Sequence, residues 1–183
     1  MNKEKYKNAV LFFTENIPHL GVTKLNKLLY FLDFDHFEKY GDAVTEDIYE
    51  NMDLGPVPRH VDEILNEMRD EKLLDIAPEQ VIDFVRYHLI AEAKHNPNVF
   101  KPSEIEVMCE VAEKWSHHTA KEIVIASHGE APWLATRNGE DIPYPLAYYR
   151  GKFEIPSYDE ELIETPDFES GAIGHYATVP APT

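Results

Sequence analysis

The chain of 183 residues has one cysteine, Cys109, and only eight glycines. A single cysteine excludes an internal disulfide and any zinc site built from paired cysteines, and it suits a reducing compartment. The glycines form neither a Gly-x-Gly-x-x-Gly loop nor a Walker-type loop, so the sequence predicts no phosphate-binding cofactor site. No apolar run approaches the ~20 residues of a membrane span. We therefore expect a cytoplasmic protein with no cofactor and no contact with a membrane.

Basic residues are also scarce. The 17 Lys and Arg residues face 34 Asp and Glu residues, which gives a net charge of −17. Nucleic-acid binding requires a Lys/Arg surface that neutralises phosphates, so this composition argues against a nucleic-acid partner. The negative charge suits a basic protein partner, but it also serves solubility alone, and the composition does not choose between the two.

Hydrophobic periodicity predicts a mainly helical fold. A first amphipathic helix is predicted over residues 3–16, and a second from an N-cap at Thr23 to a stop at Gly41. The second helix is apolar around most of its circumference, which is typical of a helix at the centre of a core. A third helix follows from Val61, with its apolar residues on one stripe.

Further along the chain, helical and extended segments alternate. The run Gly55–Pro58 predicts a turn, and alternating polarity over residues 73–93 predicts a β-hairpin. Capping boxes at 103–106 and 119–122 predict the starts of a fourth and a fifth helix. The predicted inward face of the fourth helix consists of Ile105, Met108, Cys109, Ala112 and Trp115. The fold class is thus mainly α: a compact domain of about five to seven helices with a small β-hairpin.

The last 31 residues differ from the rest in composition. Residues 153–183 hold seven acidic residues, no Lys or Arg, and four prolines. Such a segment cannot bury a core of its own. We expect a domain over residues 1–152 followed by an acidic, proline-containing tail.

The stretch Ala-Ser-His-Gly-Glu-Ala-Pro-Trp, residues 126–133, contains the three residue types of a hydrolytic triad. Adjacent helical residues diverge by about a hundred degrees, so Ser127 and His128 cannot face each other as nucleophile and base. The stretch instead fits a helix end, with Gly129 as a left-handed cap and Trp133 free to pack back. We expect no catalytic residues here.

Metal binding is a weaker alternative. Asp33 and His36 share a face of the second helix, and His128 could join them in a metal-dependent hydrolase. The sequence contains no His-Glu-x-x-His motif and no calcium loop. An Asp and a His in a buried helix are more often satisfied by core hydrogen bonds, so no metal ligand is assigned.

Three motifs, in order, resemble one known family. They are Lys-Leu-x-Lys-Leu-Leu-Tyr at 24–30, Gly-Pro-Val at 55–57, and Ser-His-x-x-x-x-Trp at 127–133. This arrangement resembles the Panacea domain of SocA-like antitoxins, over about residues 6–150. The resemblance implies a helical, non-enzymatic protein that neutralises a cognate toxin by binding it. It also implies an alternative: an adaptor that delivers a toxin to a Clp-type protease.

Partner contacts are predicted at two turns that prolines make rigid. The proposed partner-binding residues are Leu54, Pro56, Val57, Pro58, Arg59, His128, Glu130 and Trp133. Trp and Arg often dominate binding energy, and rigid turns lose little conformational entropy on docking. The alternative for Trp133 is a core tryptophan, which the sequence favours slightly over an interface residue.

Overall fold

A computed structural model describes residues 1–81 and 84–151 of the chain. Its helices are α1 (Lys3–Asn16), α2 (Val22–Tyr40), α3 (Val61–Asp70), α4 (Pro102–Trp115), α5 (Ala120–His128) and α6 (Ala131–Leu134), with 3-10 turns at Pro97–Val99 and Tyr144–Tyr149. Its strands are β1 (Tyr49–Met52), β2 (Gly55–Pro58), β3 (Leu74–Val81), β4 (Phe84–Ala91) and β5 (Asp141–Ile142). The mainly α fold class with a small hairpin is confirmed. The predicted tail lies outside the described residues.

The strands form two small antiparallel sheets. The order in the first is β2-β1-β5, and β3 and β4 pair alone as the hairpin that the alternation of residues 73–93 predicts. The prediction of a turn over Gly55–Pro58 is wrong, because β2 pairs there with β1 and the turn lies at residues 53–54. Prolines are tolerated in β2 because it is an edge strand, whose outer side needs no N–H donors.

Helix α2 is the centre of the core, as its apolar circumference predicts. Leu25, Leu28, Leu29 and Leu32 have no solvent exposure, and α1, α4, α5 and β2 all pack against this helix. The helix ends at Gly41 in the left-handed conformation, with φ of 81°, as expected. Its N-cap is Gly21, so the assignment of Thr23 as N-cap is wrong.

Asp33 ties the middle of α2 to the segment before β1. Its carboxylate accepts hydrogen bonds from the backbone N–H groups of Val44 (2.8 Å) and Thr45 (2.7 Å), and from the hydroxyls of Thr45 and Tyr49. Burial raises the pKa of Asp33 to about 6, although these donors act in the opposite direction. The carboxylate oxygens are therefore satisfied inside the protein.

His36 links the end of α2 to the start of α4. Its Nδ1 lies 2.5 Å from the carbonyl oxygen of Asp42, and a carbonyl can only accept, so Nδ1 carries the proton. Nε2 lies 3.1 Å from the hydroxyl oxygen of Ser103. Asp33 and His36 thus hold two different segments, which agrees with core hydrogen bonds for both.

The predicted start of α4 is wrong, and its predicted inward face is correct except at Cys109. The helix begins at Pro102, and Glu104 accepts from the N–H of Lys101 at 2.8 Å, whereas the sequence suggests a cap at Ser103. Proline is favoured at the first helical position, where no N–H is needed. The inward face consists of Glu104, Val107, Met108, Val111, Ala112 and Trp115, and Cys109 is exposed. The capping box of Thr119 and Glu122 is confirmed.

Candidate partner-binding surface

A buried lysine of α2 holds the strand β2. Lys27 is 1% exposed, and its ammonium nitrogen donates to the carbonyl oxygen of Pro56 at 2.6 Å. Burial lowers the pKa of Lys27 to about 7. One turn earlier, Lys24 donates to the carbonyl oxygen of His118 at 2.6 Å, at the link between α4 and α5. Both lysines therefore bind backbone of neighbouring segments.

Gly55 brings the β1–β2 turn against the end of α5. A Cβ atom at this position would lie 2.4 Å from Ser127 Oγ, 3.1 Å from Lys27 Cε and 3.2 Å from His128 Cδ2. The φ of 88° also favours glycine. The three motifs, though far apart in sequence, thus meet at one point.

The α5–α6 corner is fixed to the same turn by Trp133. Its ring stacks on that of His128, with ring centroids 4.2 Å apart, and its indole N–H donates to the carbonyl oxygen of Met52 at 3.3 Å. The side chain of Asn51 donates to the carbonyl oxygen of Trp133 at 2.8 Å. Burial and the nearby charge of Lys27 lower the pKa of His128, which favours the neutral ring.

Apolar side chains face solvent around this junction. Met52 is 41% exposed and Leu134 is 42% exposed, while Leu54 and Trp133 are half-buried. We call these four residues, with His128, the corner surface. Exposed apolar side chains that gather on one rigid surface are typical of a protein-binding site.

The predicted partner-binding residues divide into several groups. Leu54, His128 and Trp133 lie on the corner surface, whereas Pro56 and Pro58 are buried and shape β2 from behind. Val57 is half-buried on β2. Arg59 is exposed at the far end of β2, where its side chain pairs with Glu50 and Asp141 of the same sheet. Glu130 pairs with Arg150.

The residues of a hydrolytic triad do not assemble in the 126–133 stretch. Ser127 is buried and its hydroxyl donates to the carbonyl oxygen of Val124 at 2.8 Å. The partners of His128 and Glu130 are Trp133 and Arg150. The left-handed cap at Gly129 is wrong: its φ is −78°, because the chain turns directly into α6, which has Pro132 in its first turn.

No group of three or more His, Cys, Asp or Glu side chains within residues 1–81 and 84–151 is placed to hold a metal ion. Asp33, His36 and His128 in particular have separate partners and do not form one site.

Two features of the site are not evident from sequence patterns. Lys27 lies in an apolar helix, and a lysine at such a position indicates that its ammonium group has a specific hydrogen-bond acceptor. The sequence does not show which group is that acceptor. Arg150, whose side chain is only 9% exposed, pairs with Asp35, Glu38 and Glu130. Its one sequence signal is that it is the last arginine of the chain.

The fold and the corner surface define a mainly helical domain whose buried polar residues fix its segments and whose apolar residues at one corner face solvent. The chain belongs to the antitoxin SocA-like, Panacea domain family, whose sequence model matches residues 25–134. This range includes the three motifs except Lys24, and it is shorter at both ends than the resemblance over 6–150. No curated protein and no solved structure matches the chain.

Membership of this family indicates an antitoxin-like role with a toxin as partner. In the described part of the chain, no helix has both the length and the apolar content that crossing a membrane requires.

Proposed function

We propose that this chain neutralises a cognate protein toxin by direct binding, and that the corner surface contacts the toxin. The observation that carries this proposal is the convergence of the three motifs behind that surface. Lys27 holds β2, Gly55 allows close contact with α5, and Trp133 fixes α6. The motif residues thereby present Met52, Leu54 and Leu134 to solvent.

The rigidity of the corner supports this proposal. The β1–β2 turn is held to α2 by Lys27 and to α6 by Trp133, and Asn51 of β1 donates to the carbonyl oxygen of Trp133. A backbone that is already ordered loses little entropy on docking, so more of the contact energy appears as affinity. Trp133, which is half-buried, is one of the residue types that most often dominate a protein interface.

Co-expression with the gene adjacent to that of this protein tests the function. Toxin and antitoxin genes of such families typically lie side by side, so the neighbour alone should arrest growth. This chain should rescue growth and co-purify with the neighbour's product. Rescue with loss of the neighbour's protein would favour the protease adaptor instead. A harmless neighbour that does not co-purify would contradict the proposal.

Charged substitutions on the corner surface should weaken toxin binding. Met52→Glu and Leu134→Glu each place a charge in the apolar contact, and each should raise Kd at least about tenfold, which corresponds to about 1.4 kcal/mol. The matched control is Ile90→Glu, because Ile90 is 37% exposed on β4, in the other sheet. Binding can be measured by calorimetry. Equal effects at all three positions would place the interface elsewhere.

The negative charge should speed the encounter with a basic toxin. With a net charge of −17, the association rate should fall steeply between low and physiological ionic strength, while the dissociation rate changes little. Stopped-flow measurements at several salt concentrations check this. An association rate that does not respond to salt would show that charge has no part in recognition.

A further inference from the structure

Arg150 lies in a cleft that three carboxylates and an aromatic ring form. Asp35 and Glu38 come from α2 and Glu130 from the α5–α6 corner, and all three pair with the guanidinium group. Its Nη1 lies 3.5 Å from Glu38 Oε2, and its Cζ lies 5.6 Å from the ring centroid of Phe31. The cleft thus contacts both the edge and the face of one planar cation.

The carboxylates outnumber the cation that they surround. Three negative groups share one guanidinium, and the Glu38 side chain is 40% exposed, so the cleft opens to solvent at that side. Arg59 offers a contrast: it pairs with two carboxylates, but its side chain is 36% exposed. A surface pair of that kind contributes little, whereas the cleft of Arg150 is largely closed to water.

A buried hydroxyl at the cleft has no partner. Tyr30 has no solvent exposure, and its hydroxyl makes no hydrogen bond to any residue of 1–81 and 84–151. The charged groups that act on it are those of Arg150, Glu130, Asp35 and Glu38, which places it beside the same cluster. An unsatisfied buried hydroxyl is unfavourable. The side chain of Arg150 therefore leaves one polar group of the cleft, the Tyr30 hydroxyl, without a hydrogen bond among the described residues.

The attachment of Arg150 to the rest of the chain is slight. It follows the 3-10 turn Tyr144–Tyr149 and precedes Gly151, whose φ of 67° is a conformation that glycine adopts freely. Withdrawal of Arg150 from the cleft therefore requires no helix or strand of the described chain to be broken.

We propose that this cleft is an arginine-binding site, which Arg150 fills in the free protein and an arginine of the toxin fills in the complex. Glu130 lies between His128 and Trp133 in the chain, so the cleft adjoins the corner surface. The planar fork of a guanidinium presents five N–H donors to the carboxylates while it lies over a ring, whereas a lysine ammonium is a compact point charge with three donors. The part that concerns the toxin rests on the function proposed above, and the arginine-binding part does not.

Binding of a small guanidinium compound tests the cleft without any toxin. Arg150→Ala empties the cleft, and ethylguanidinium at about 20 mM should raise the Tm of this variant by about 2 to 4 °C. The same compound should not raise the Tm of the wild-type protein, and ethylammonium, which lacks the planar fork, should not raise that of the variant. If Arg150→Ala is unfolded alone, recovery of its far-UV circular dichroism on addition of ethylguanidinium is the equivalent readout.

The double variant Arg150→Ala/Glu130→Gln is the control for location. Removing one carboxylate should abolish most of the effect of ethylguanidinium. Equal stabilisation of wild type and both variants, or of none of them, would overturn the assignment of the cleft.

Toxin affinity tests the second part. An internal competitor lowers apparent affinity in proportion to its occupancy, so Arg150→Ala should bind the product of the adjacent gene about tenfold more tightly than wild type does. Unchanged or weaker binding, together with uptake of ethylguanidinium, would show that the cleft binds arginine but the toxin does not use it. If wild type binds no toxin, the proposed function fails while the ethylguanidinium result stands.

Discussion

Replacing Gly55 with alanine should lower the free energy of unfolding by about 2 to 5 kcal/mol. A left-handed backbone costs a residue with a Cβ about 1 to 2 kcal/mol, and overpacking of a tight contact costs about 1 to 3 kcal/mol more. Both apply here, since φ is 88° and the new Cβ would lie 2.4 Å from Ser127 Oγ. Urea denaturation, followed by circular dichroism, measures the loss.

Gly139 provides the matched control for this substitution. Its φ is 81°, but no atom lies within 4 Å of a Cβ built there, so Gly139→Ala should show the backbone strain alone. The double variant Gly55→Ala/Ser127→Ala removes the nearest atom and should recover part of the packing loss, with a coupling of about 0.5 to 3 kcal/mol. If Gly55→Ala is no worse than Gly139→Ala, β2 and α5 do not approach as closely as described.

The stability that Lys27 contributes should depend strongly on pH. Its pKa is about 7 in the folded protein, against about 10.4 in an unfolded chain. Between these values the unfolded chain binds the proton and the folded protein does not, so this group makes stability rise with pH. This slope is at most about 1.4 kcal/mol per pH unit, and it falls to zero well below pH 7, where both states bind the proton.

Comparison with Lys27→Met isolates this dependence from other titrating groups. The stability of wild type relative to the variant should increase by roughly 2 to 3 kcal/mol from pH 7 to pH 9. Urea denaturation at three pH values gives the difference directly. The control is Lys121→Met, because Lys121 is exposed and its ammonium group stays in water in both states. A difference for Lys27→Met that stays constant with pH would mean that the buried ammonium remains charged.

The helices are the part of the fold that the sequence predicts best. Apolar periodicity alone predicts the bounds of α1 and the central position of α2, because both follow from which faces must be buried. The start of α4 is harder to predict, because Ser103 looks like an N-cap whereas Pro102 already occupies the first helical position. Both are favoured near a helix start, so the local sequence does not decide between these two adjacent residues.

The site is less predictable because it depends on contacts over long sequence distances. Gly55–Pro58 has turn composition, yet it forms a strand because β1 pairs with it and Lys27 of α2 binds its carbonyl group. The family motifs contain Lys27, Gly55 and Trp133, but they do not show that these three residues lie close together in the fold. Arg150 belongs to no motif, and the first motif, which ends at Tyr30, does not show which groups lie beside this tyrosine. The cleft that the two residues share is therefore visible only in the structure.

The residues that fix the backbone at the corner differ from those that face solvent. This separation affects how partner recognition can change among related chains. Lys27, Gly55 and Ser127 stand behind the surface and determine the path of the backbone. Met52 and Leu134 face solvent, and no neighbouring segment depends on their side chains for its hydrogen bonds. On the proposed function, a different toxin could therefore be accommodated by exchanging these exposed side chains alone. The backbone of the domain would stay the same while the exposed side chains of its contact surface changed.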